Sequence, residues 1–386
     1  MKDQLVPHPP FGPETLQQLE CIRTGELSMG RFVKAFETEF AKYVGTKYAV
    51  MVNSGSSANL LMVSVLKTLN PDIRTVGIPA VNWSTSIAPV VQLGLTPVLL
   101  DVDRRTLVLP FHGLDCHDVD VLFNCHLLGQ PSHVYSPRHR FLLEDCCEAL
   151  GSHYSPGGGG TGEFGTGRHV GSACDMASFS FFYSHHLVTI EGGMITTSSD
   201  AIYEELVMQR AHGWIRDLPQ DRQEFWTSRN PQIDPRFLFP TLGFNVRPME
   251  IQGELGLRQL PHVEGWQAKR FEIATRLRQA TPDGFVPYKL CEGRHSWFAY
   301  PLVLEEGGTE RRRRLSRHFQ LAEIATRPIV AGNLAAQPFM QRFGIRNLSP
   351  LPEAHHVQQH GIYLAISPFM SDAAVQHVCD TLAAWE

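Results

Sequence analysis

Two adjacent imidazoles, His185 and His186, follow an apolar, β-rich run, Met176 to Tyr183. They precede Glu191-Gly192-Gly193 and a second short run of strand formers, Met194 to Thr197. A strand that breaks into His-His carries acid–base groups to the mouth of a sheet, where an imidazole can accept and return a proton near neutral pH. A surface histidine pair in a loop, or half of a metal site, is an equally good reading of these residues alone. A second group is Glu144-Asp145-Cys146-Cys147-Glu148, at the end of an expected strand, Arg140 to Leu143. Buried carboxylates at a strand end need a positive partner. A third is Asn53-Ser54-Gly55-Ser56-Ser57, between the strand Tyr48 to Val52 and a helix from about Ser57 to Leu69. That layout aims backbone N–H groups and a helix dipole at a phosphate, with Ser56 and Ser57 adding hydroxyl donors. Taken singly it is a weak signal, because serine N-caps are common.

The segment Ser180 to Gly193 resembles the active-site stretch of the sugar aminotransferases that use pyridoxal phosphate, the DegT/DnrJ/EryC1/StrS family. Their pattern runs roughly Ser-Phe-x-x-x-Lys-Asn-Leu-x-x-Gly-Glu-Gly-Gly, and the lysine forms the Schiff base with the cofactor. Ser180 and Glu191 to Gly193 match, and His185 stands at the lysine position. Histidine there marks the family's sugar 3-dehydratase branch. The seven lysines of the chain leave the span from 67 to 269 without one, so no amine is on hand near these motifs. An arginine-rich bias explains the scarcity, since 27 of the 34 basic residues are arginine, but not the histidine at this position.

The resemblance implies a fold type I α/β architecture: a large domain, residues 1–260, with a mixed, mostly parallel sheet, and a smaller α+β domain, residues 261–386. It implies pyridoxal 5'-phosphate and pyridoxamine 5'-phosphate as cofactor forms. His185 becomes the catalytic base, with Glu148 beside the cofactor ring and His212, in Arg210 to Leu218, as a further catalytic candidate. Ser56, Ser57 and Ser180 fall on cofactor-binding positions, Trp83 stacks on the pyridine, and Asp145 holds the ring nitrogen protonated as an electron sink. Asn245 reaches a partner subunit's cofactor phosphate, which implies a homodimer. A sister branch binds an iron–sulfur cluster through cysteines after the histidine segment. Residues 175 to 290 contain no cysteine, so no such cluster and no metal is expected.

The elements that must position these groups alternate. Strands are expected at Thr75 to Pro79, Pro97 to Asp101 and Val119 to Cys125, and helices at Arg31 to Tyr43, Ser84 to Gln92 and Asp200 to Ala211. Residues 219–240 read as a polar, proline-dotted loop, and a long helix runs to Leu260. The smaller unit holds strands near Trp297 to Leu304 and Gly361 to Ile366, with helices near Thr309 to Gln320 and Asp372 to Ala384. The glycine-rich run Ser155 to Gly167 lacks the strand-before, helix-after context of a nucleotide loop and reads as a flexible surface insertion. With 386 residues, 43% hydrophobic and 19% charged, the chain can bury a large core. A net charge of -5 gives no footprint for nucleic acid or an anionic membrane, and no apolar run approaches a membrane span. Scattered cysteines without paired spacing fit a reduced, cytoplasmic protein.

The implied reaction removes the C3 hydroxyl of a nucleotide-linked 4-keto-6-deoxy sugar, with L-glutamate as amino donor and ammonia released. Ala365-Ile366-Ser367-Pro368 stands where the branch carries Gly-Asn-His, which leaves the sugar and nucleotide open. The competing readings are a nucleotide-sugar aminotransferase lacking the Schiff-base lysine, and a catalytically inactive cofactor-binding paralogue. Retained Asp145, Glu148, Trp83 and Asn245 argue against decay.

Overall fold

The structure, a computed structural model, describes residues 12–110, 119–133, 139–155, 167–345 and 350–386. The amino-terminal half alternates strand and helix through β1 (Tyr48–Val52), β2 (Thr75–Pro79), β3 (Thr96–Leu100), β4 (Val121–Cys125) and β5 (Phe141–Asp145). There follow a two-residue strand β6 (His153–Tyr154), then β7 (Met176–Ser180) and β8 (Gly193–Thr197). Seven of these form one sheet in the order β1-β8-β7-β5-β4-β2-β3. β8 is antiparallel to both of its neighbours, and the remaining pairs are parallel. Six strands therefore end, and β8 begins, on a single edge of the sheet. Turns and helix N-termini collect on such an edge, which is where α/β sheets place their sites.

Helix placement follows from caps and close approach. The helix Gly55–Leu69 starts because Ser54 Oγ accepts the Ser57 N–H at 3.1 Å, and it buries residues along most of its length. The helix Arg31–Val44 has no side-chain cap of its own; instead Glu250 accepts the N–H groups of Gly30, Phe32 and Val33 at 2.8, 2.8 and 2.9 Å. A carboxylate against three free N–H groups and a positive helix end ties residues 28–33 to the helix Glu250–Gln259. Gly256 permits that approach, since a Cβ there would lie 2.4 Å from the Phe36 ring. On one face of the sheet Phe36, Phe40, Phe179 and Phe181 form an aromatic core, with Phe40 and Phe179 edge-on at 5.0 Å. The other face buries Val50, Leu61, Phe123 and Ile195, and that core continues without a break into Ala299, Val303 and Ile329.

The carboxy-terminal part pairs β9 (Gly293–Arg294) with β6 and builds a second, antiparallel sheet in the order β10-β12-β11. Its strands are β10 (Ala299–Val303), β11 (Thr326–Pro328) and β12 (Gly361–Ala365). Helices Val263–Ala280, Gly308–Leu321 and Asp372–Ala383 supply its core through Ile273, Leu277, Leu315, Phe319 and Val378.

Three departures from the sequence reading have physical causes. β7 stops at Ser180 rather than Tyr183, because the chain folds back and Phe181 exchanges hydrogen bonds with Gly192 and Thr189, closing a loop instead of a ladder. Residues 219–240 are not all loop. A helix, Gln220–Arg229, buries no residue and is held instead by Arg222 and Trp226 on Glu204, at 2.7 Å each. The 18-residue helix Val263–Ala280 lacked a legible start, since its N-cap His262 offers no side-chain bond. Most of the glycine-rich run lies outside the described residues. Among those described, no helix is long and apolar enough to cross a membrane.

Candidate active site

The carboxyl edge of the large sheet opens into a cavity of about 1540 Å³, closed on its far side by β11, β12 and the end of the helix Gly308–Leu321. Each wall is fixed by a local feature of sequence. At the end of β1, Gly55 sits so tightly that a Cβ would meet Ser180 Cβ at 2.7 Å and Cys147 Sγ at 2.9 Å. This presses the N-terminus of the helix Gly55–Leu69 onto the ends of β5 and β7 and leaves Ser54, Gly55 and Ser56 facing the cavity. Ser56 Oγ bonds Thr85 Oγ1 at 3.2 Å. Ser57 is turned to the cap, its hydroxyl 3.0 Å from Ser54 Oγ, and does not line the cavity.

β5 delivers Asp145, only 5% exposed. Its oxygens accept Asn59 Nδ2 at 2.9 Å, Ser86 Oγ at 3.1 Å and the Cys147 N–H at 3.1 Å. Among the described residues no basic side chain pairs with it. A buried carboxylate with only neutral donors, open to a cavity, is suited to a cationic ligand atom. Beside it Trp83, the residue before the helix Ser84–Gln92, exposes 56% of its surface and lines the same cavity. Glu148 also lines it and accepts the Leu128 N–H at 2.8 Å. Burial pushes the Glu148 carboxyl up to about 7, against that N–H bond, with the Asp145 charge adding to the rise.

The histidine loop is clamped from behind. Gln259 gives its amide to the Val188 carbonyl at 2.6 Å and accepts the Val188 N–H at 3.1 Å. His185 points into the cavity with its ring 5.2 Å from that of Phe298 and its Nδ1 without a partner among the described residues. Burial, and then the Arg270 guanidinium, push His185 down to about 4. Its imidazole is therefore neutral and base-competent at neutral pH. His186 turns away, buried, with Nε2 3.1 Å from the Ser296 carbonyl. Arg270 is itself buried and donates to the Trp297 and Phe298 carbonyls at 3.1 and 3.4 Å, so one cation both orders the segment under Phe298 and faces the two histidines.

Sequence reasoning named His185, Glu148, Ser56, Trp83, Asp145 and Ser180, and the structure brings these together around one cavity. It does not bring His212 or Asn245 there. Both are exposed on paired segments, where Ala211 and Asn245 form a bridge. Gly213 and Gly243 make that pairing possible, since a Cβ on Gly213 would lie 1.9 Å from the Thr241 carbonyl oxygen. Asn245 Oδ1 accepts Arg247 Nε at 3.0 Å. Asn59 and Ser86, which hold Asp145, went unnamed; Asn59 was findable as the polar residue one turn into an otherwise apolar helix. Arg270 gave no signal, being one arginine in a charged helix. A second polar cluster, His126, Glu144 and Cys146, brings ligand-type atoms within 4.8 Å of one another. Two of its three groups are already bonded: His126 Nδ1 accepts the Ser132 N–H at 2.9 Å, and Glu144 accepts the Gly171 N–H at 2.7 Å and the Tyr154 hydroxyl.

A family model described as the DegT/DnrJ/EryC1/StrS aminotransferase family matches residues 13–383. The chain belongs to that family. It is similar to GDP-4-keto-6-deoxy-D-mannose 3-dehydratase of Yersinia pseudotuberculosis, 32% identical over 358 residues that cover 89% of this chain and 88% of the relative. The enzyme of the same name from Escherichia coli O55:H7 is 34% identical over 352 residues, 87% of this chain and 88% of the relative. Among solved structures, a mutant GDP-4-keto-6-deoxymannose-3-dehydratase with bound GDP-perosamine superposes with a TM-score of 0.85 at 29% identity, covering 97% of this chain and 98% of that one. Another, with a trapped PLP-glutamate geminal diamine, gives 0.83 at 27%, with coverage of 97% and 98%. The fold of this family member is thus the α/β aminotransferase-like fold expected from the sequence.

Proposed function

We propose that this chain is a pyridoxal-phosphate-dependent nucleotide-sugar 3-dehydratase, a lyase of deoxysugar biosynthesis. Its substrate is GDP-4-keto-6-deoxy-D-mannose and its amino donor L-glutamate. The observation that carries the reading is His185: a neutral imidazole, its Nδ1 without a partner among the described residues, in the cavity of an aminotransferase-family protein where no described lysine lines the wall. The residues present fit the cofactor. Asp145 would hold the pyridine nitrogen, Trp83 the ring face, and the helix start at Gly55 with Ser56 and Ser180 the phosphate. When bound, the cofactor supplies an amine for the sugar's C4 ketone and an electron sink.

The chain's own residues supply the rest. His185 would take a proton from the C4′ carbon of the bound cofactor as the C3 hydroxyl of the sugar departs, and would return protons from the same nitrogen. Glu148, poised near neutrality, can carry a second proton beside the ring. Without a primary amine at 185 the chain would form no covalent link to the cofactor there, and ammonia would be released when water hydrolyses the C–N bond of the dehydrated sugar. In the net reaction, the sugar's C3 oxygen is matched by the oxygen that 2-oxoglutarate gains over glutamate, and the products are the 3-deoxy-4-keto sugar, 2-oxoglutarate and ammonia.

We propose further that the protein is a homodimer. Asn245 and His212 are exposed and away from their own cavity, beside the exposed Phe237, Phe239, Leu242 and Met249, as expected of groups that complete a partner's site. A division near residue 260 into a cofactor-binding and a smaller domain is supported by the separate core under the second sheet. Relatives also include the GDP-perosamine synthase of Caulobacter vibrioides, 31% identical over 334 residues, so product identity is the decisive test. Incubation with GDP-4-keto-6-deoxymannose and glutamate should yield a 3-deoxy sugar and stoichiometric ammonia. A 4-amino sugar without ammonia would identify an aminotransferase instead. His185→Asn should lower dehydration by about 10²–10⁴-fold, and parental activity in that variant would remove His185 as the base.

A further inference from the structure

The wall of the cavity opposite the large sheet carries two arginines that no role above uses. Arg317 lies just before the last turn of the helix Gly308–Leu321 and Arg327 in the middle of β11, and both line the cavity. Among the described residues neither guanidinium makes an ion pair or side-chain hydrogen bond. This contrasts with Arg104, Arg140, Arg210, Arg222 and Arg258, each of which holds a carboxylate. Glu323 lines the same wall without coming within ion-pair distance of either. Both residues are exposed, so their guanidiniums are solvated at the cavity wall and open to an anion, and their fork geometry matches a carboxylate or a phosphate.

Position separates the two. Arg327 pairs directly across the ladder with Tyr363 of β12, which puts both side chains on the same face of that sheet. Tyr363 lines the cavity and has two charged neighbours: burial chiefly raises its phenol, to about 12, with Glu148 adding to the rise and Arg327 opposing it. Glu148 borders the ring-binding end, so Tyr363 links Arg327 to that end of the cavity, whereas Arg317 lies on a separate element, the helix Gly308–Leu321. An amino acid's α-carboxylate is attached to its reacting carbon. A nucleotide-sugar's diphosphate is held away from C4 by the whole pyranose ring.

We propose that Arg327, with the Tyr363 hydroxyl beside it, is the site that binds the carboxylate of the amino donor. The inference rests on the dehydratase reading above, because it takes glutamate to be a substrate. It makes Arg327 a specificity residue for the first half-reaction only. The sugar, arriving after the donor has left, meets the same guanidinium with no carboxylate to offer.

The test uses the holoenzyme and the variants Arg327→Ala and Arg327→Lys. In stopped-flow absorbance, the glutamate concentration that half-saturates conversion of the aldehyde to the amine form should rise roughly 10- to 100-fold in Arg327→Ala. That is the worth of one charge-assisted pair. Arg327→Lys should recover part of it. With enzyme preloaded with pyridoxamine phosphate, so that glutamate is not needed, single-turnover consumption of the nucleotide-sugar should fall much less than the glutamate step. An equal fall in both steps would assign Arg327 to the diphosphate and overturn the proposal, as would an unchanged glutamate dependence. Calorimetric titration with 2-oxoglutarate, which shares the carboxylates but requires no turnover, separates the two layers. If the parent converts neither glutamate nor sugar, the dehydratase reading fails. Arg327 still stands as a carboxylate site if 2-oxoglutarate binds the parent and not Arg327→Ala, and falls if both bind alike.

Discussion

Replacing Glu148 by Gln should change stability in a way that depends on pH. The parent carboxyl is raised from 4.5 to about 7, chiefly by burial. In the folded protein it stays protonated between those values, while in the unfolded chain it ionises. Its contribution to stability is therefore complete below pH 4.5 and is lost as the pH rises through 7. The full shift corresponds to about 3 kcal/mol at high pH. Because the carboxyl lines an open cavity and one oxygen already accepts the Leu128 N–H, solvent reduces this to about 1–2 kcal/mol. Glutamine keeps an oxygen for that N–H and cannot ionise. Urea unfolding of cofactor-free parent and Glu148→Gln should give nearly equal stabilities at pH 4.5, with the variant ahead by about 1–2 kcal/mol at pH 8.5. Groups common to both proteins cancel in the difference. A difference independent of pH would refute the claim that the folded protein raises the Glu148 carboxyl to about 7, and with it a proton-carrying role.

Because His185 offers no primary amine, borohydride treatment of the holoenzyme followed by intact-mass measurement should show no cofactor-sized adduct, whereas His185→Lys should acquire one. Asn245→Ala should lower cofactor retention while leaving the melting temperature nearly unchanged. Sedimentation should show a dimer for the parent, and a fully active monomer would contradict the shared site. Gly55→Ala forces a Cβ to within 2.7 Å of Ser180 Cβ and 2.9 Å of Cys147 Sγ. It should cost about 1–3 kcal/mol in stability and weaken cofactor binding, read by denaturant midpoint and equilibrium dialysis.

The parts of this site that were legible in sequence are those made by short, contiguous signals. The serine-rich turn after β1, the carboxylates after β5 and the histidines after β7 each follow a strand, and strand ends in a mostly parallel sheet share an edge. Their convergence follows from topology once the strands are found. What sequence did not reveal depends on packing between distant segments. Glu250 caps a helix more than two hundred residues earlier, and Arg270 reaches His185 through the segment 296–298. The helix Gln220–Arg229 was read as loop because it has no buried stripe; its anchor, Glu204, belongs to another helix. His212 and Asn245 match family positions in sequence, yet one chain alone leaves them at the surface. No pattern within a single chain can show which residues a second copy would use.

The electrostatics of the cavity explain why histidine suits position 185. The same burial and the same Arg270 charge that hold the imidazole at about 4 would also lower the pKa of an amine placed there. A lysine at this position would thus be less strongly protonated than in water, with more of the nucleophilic free amine to bond an aldehyde. The pocket does not exclude lysine; it would activate one. What histidine changes is the bond-forming capacity, while proton transfer is kept. Glu148, about half protonated near pH 7, lines the same cavity as a second carrier, and Asp145 with its three neutral donors is left to meet the positive charge of a bound ring. The site therefore combines a neutral imidazole, a carboxyl that titrates near pH 7 and one buried carboxylate, with no lysine among the described residues of its wall. Such an arrangement can move protons around a bound cofactor repeatedly without becoming attached to it, and loss of a hydroxyl group rather than transfer of an amino group is the chemistry this permits.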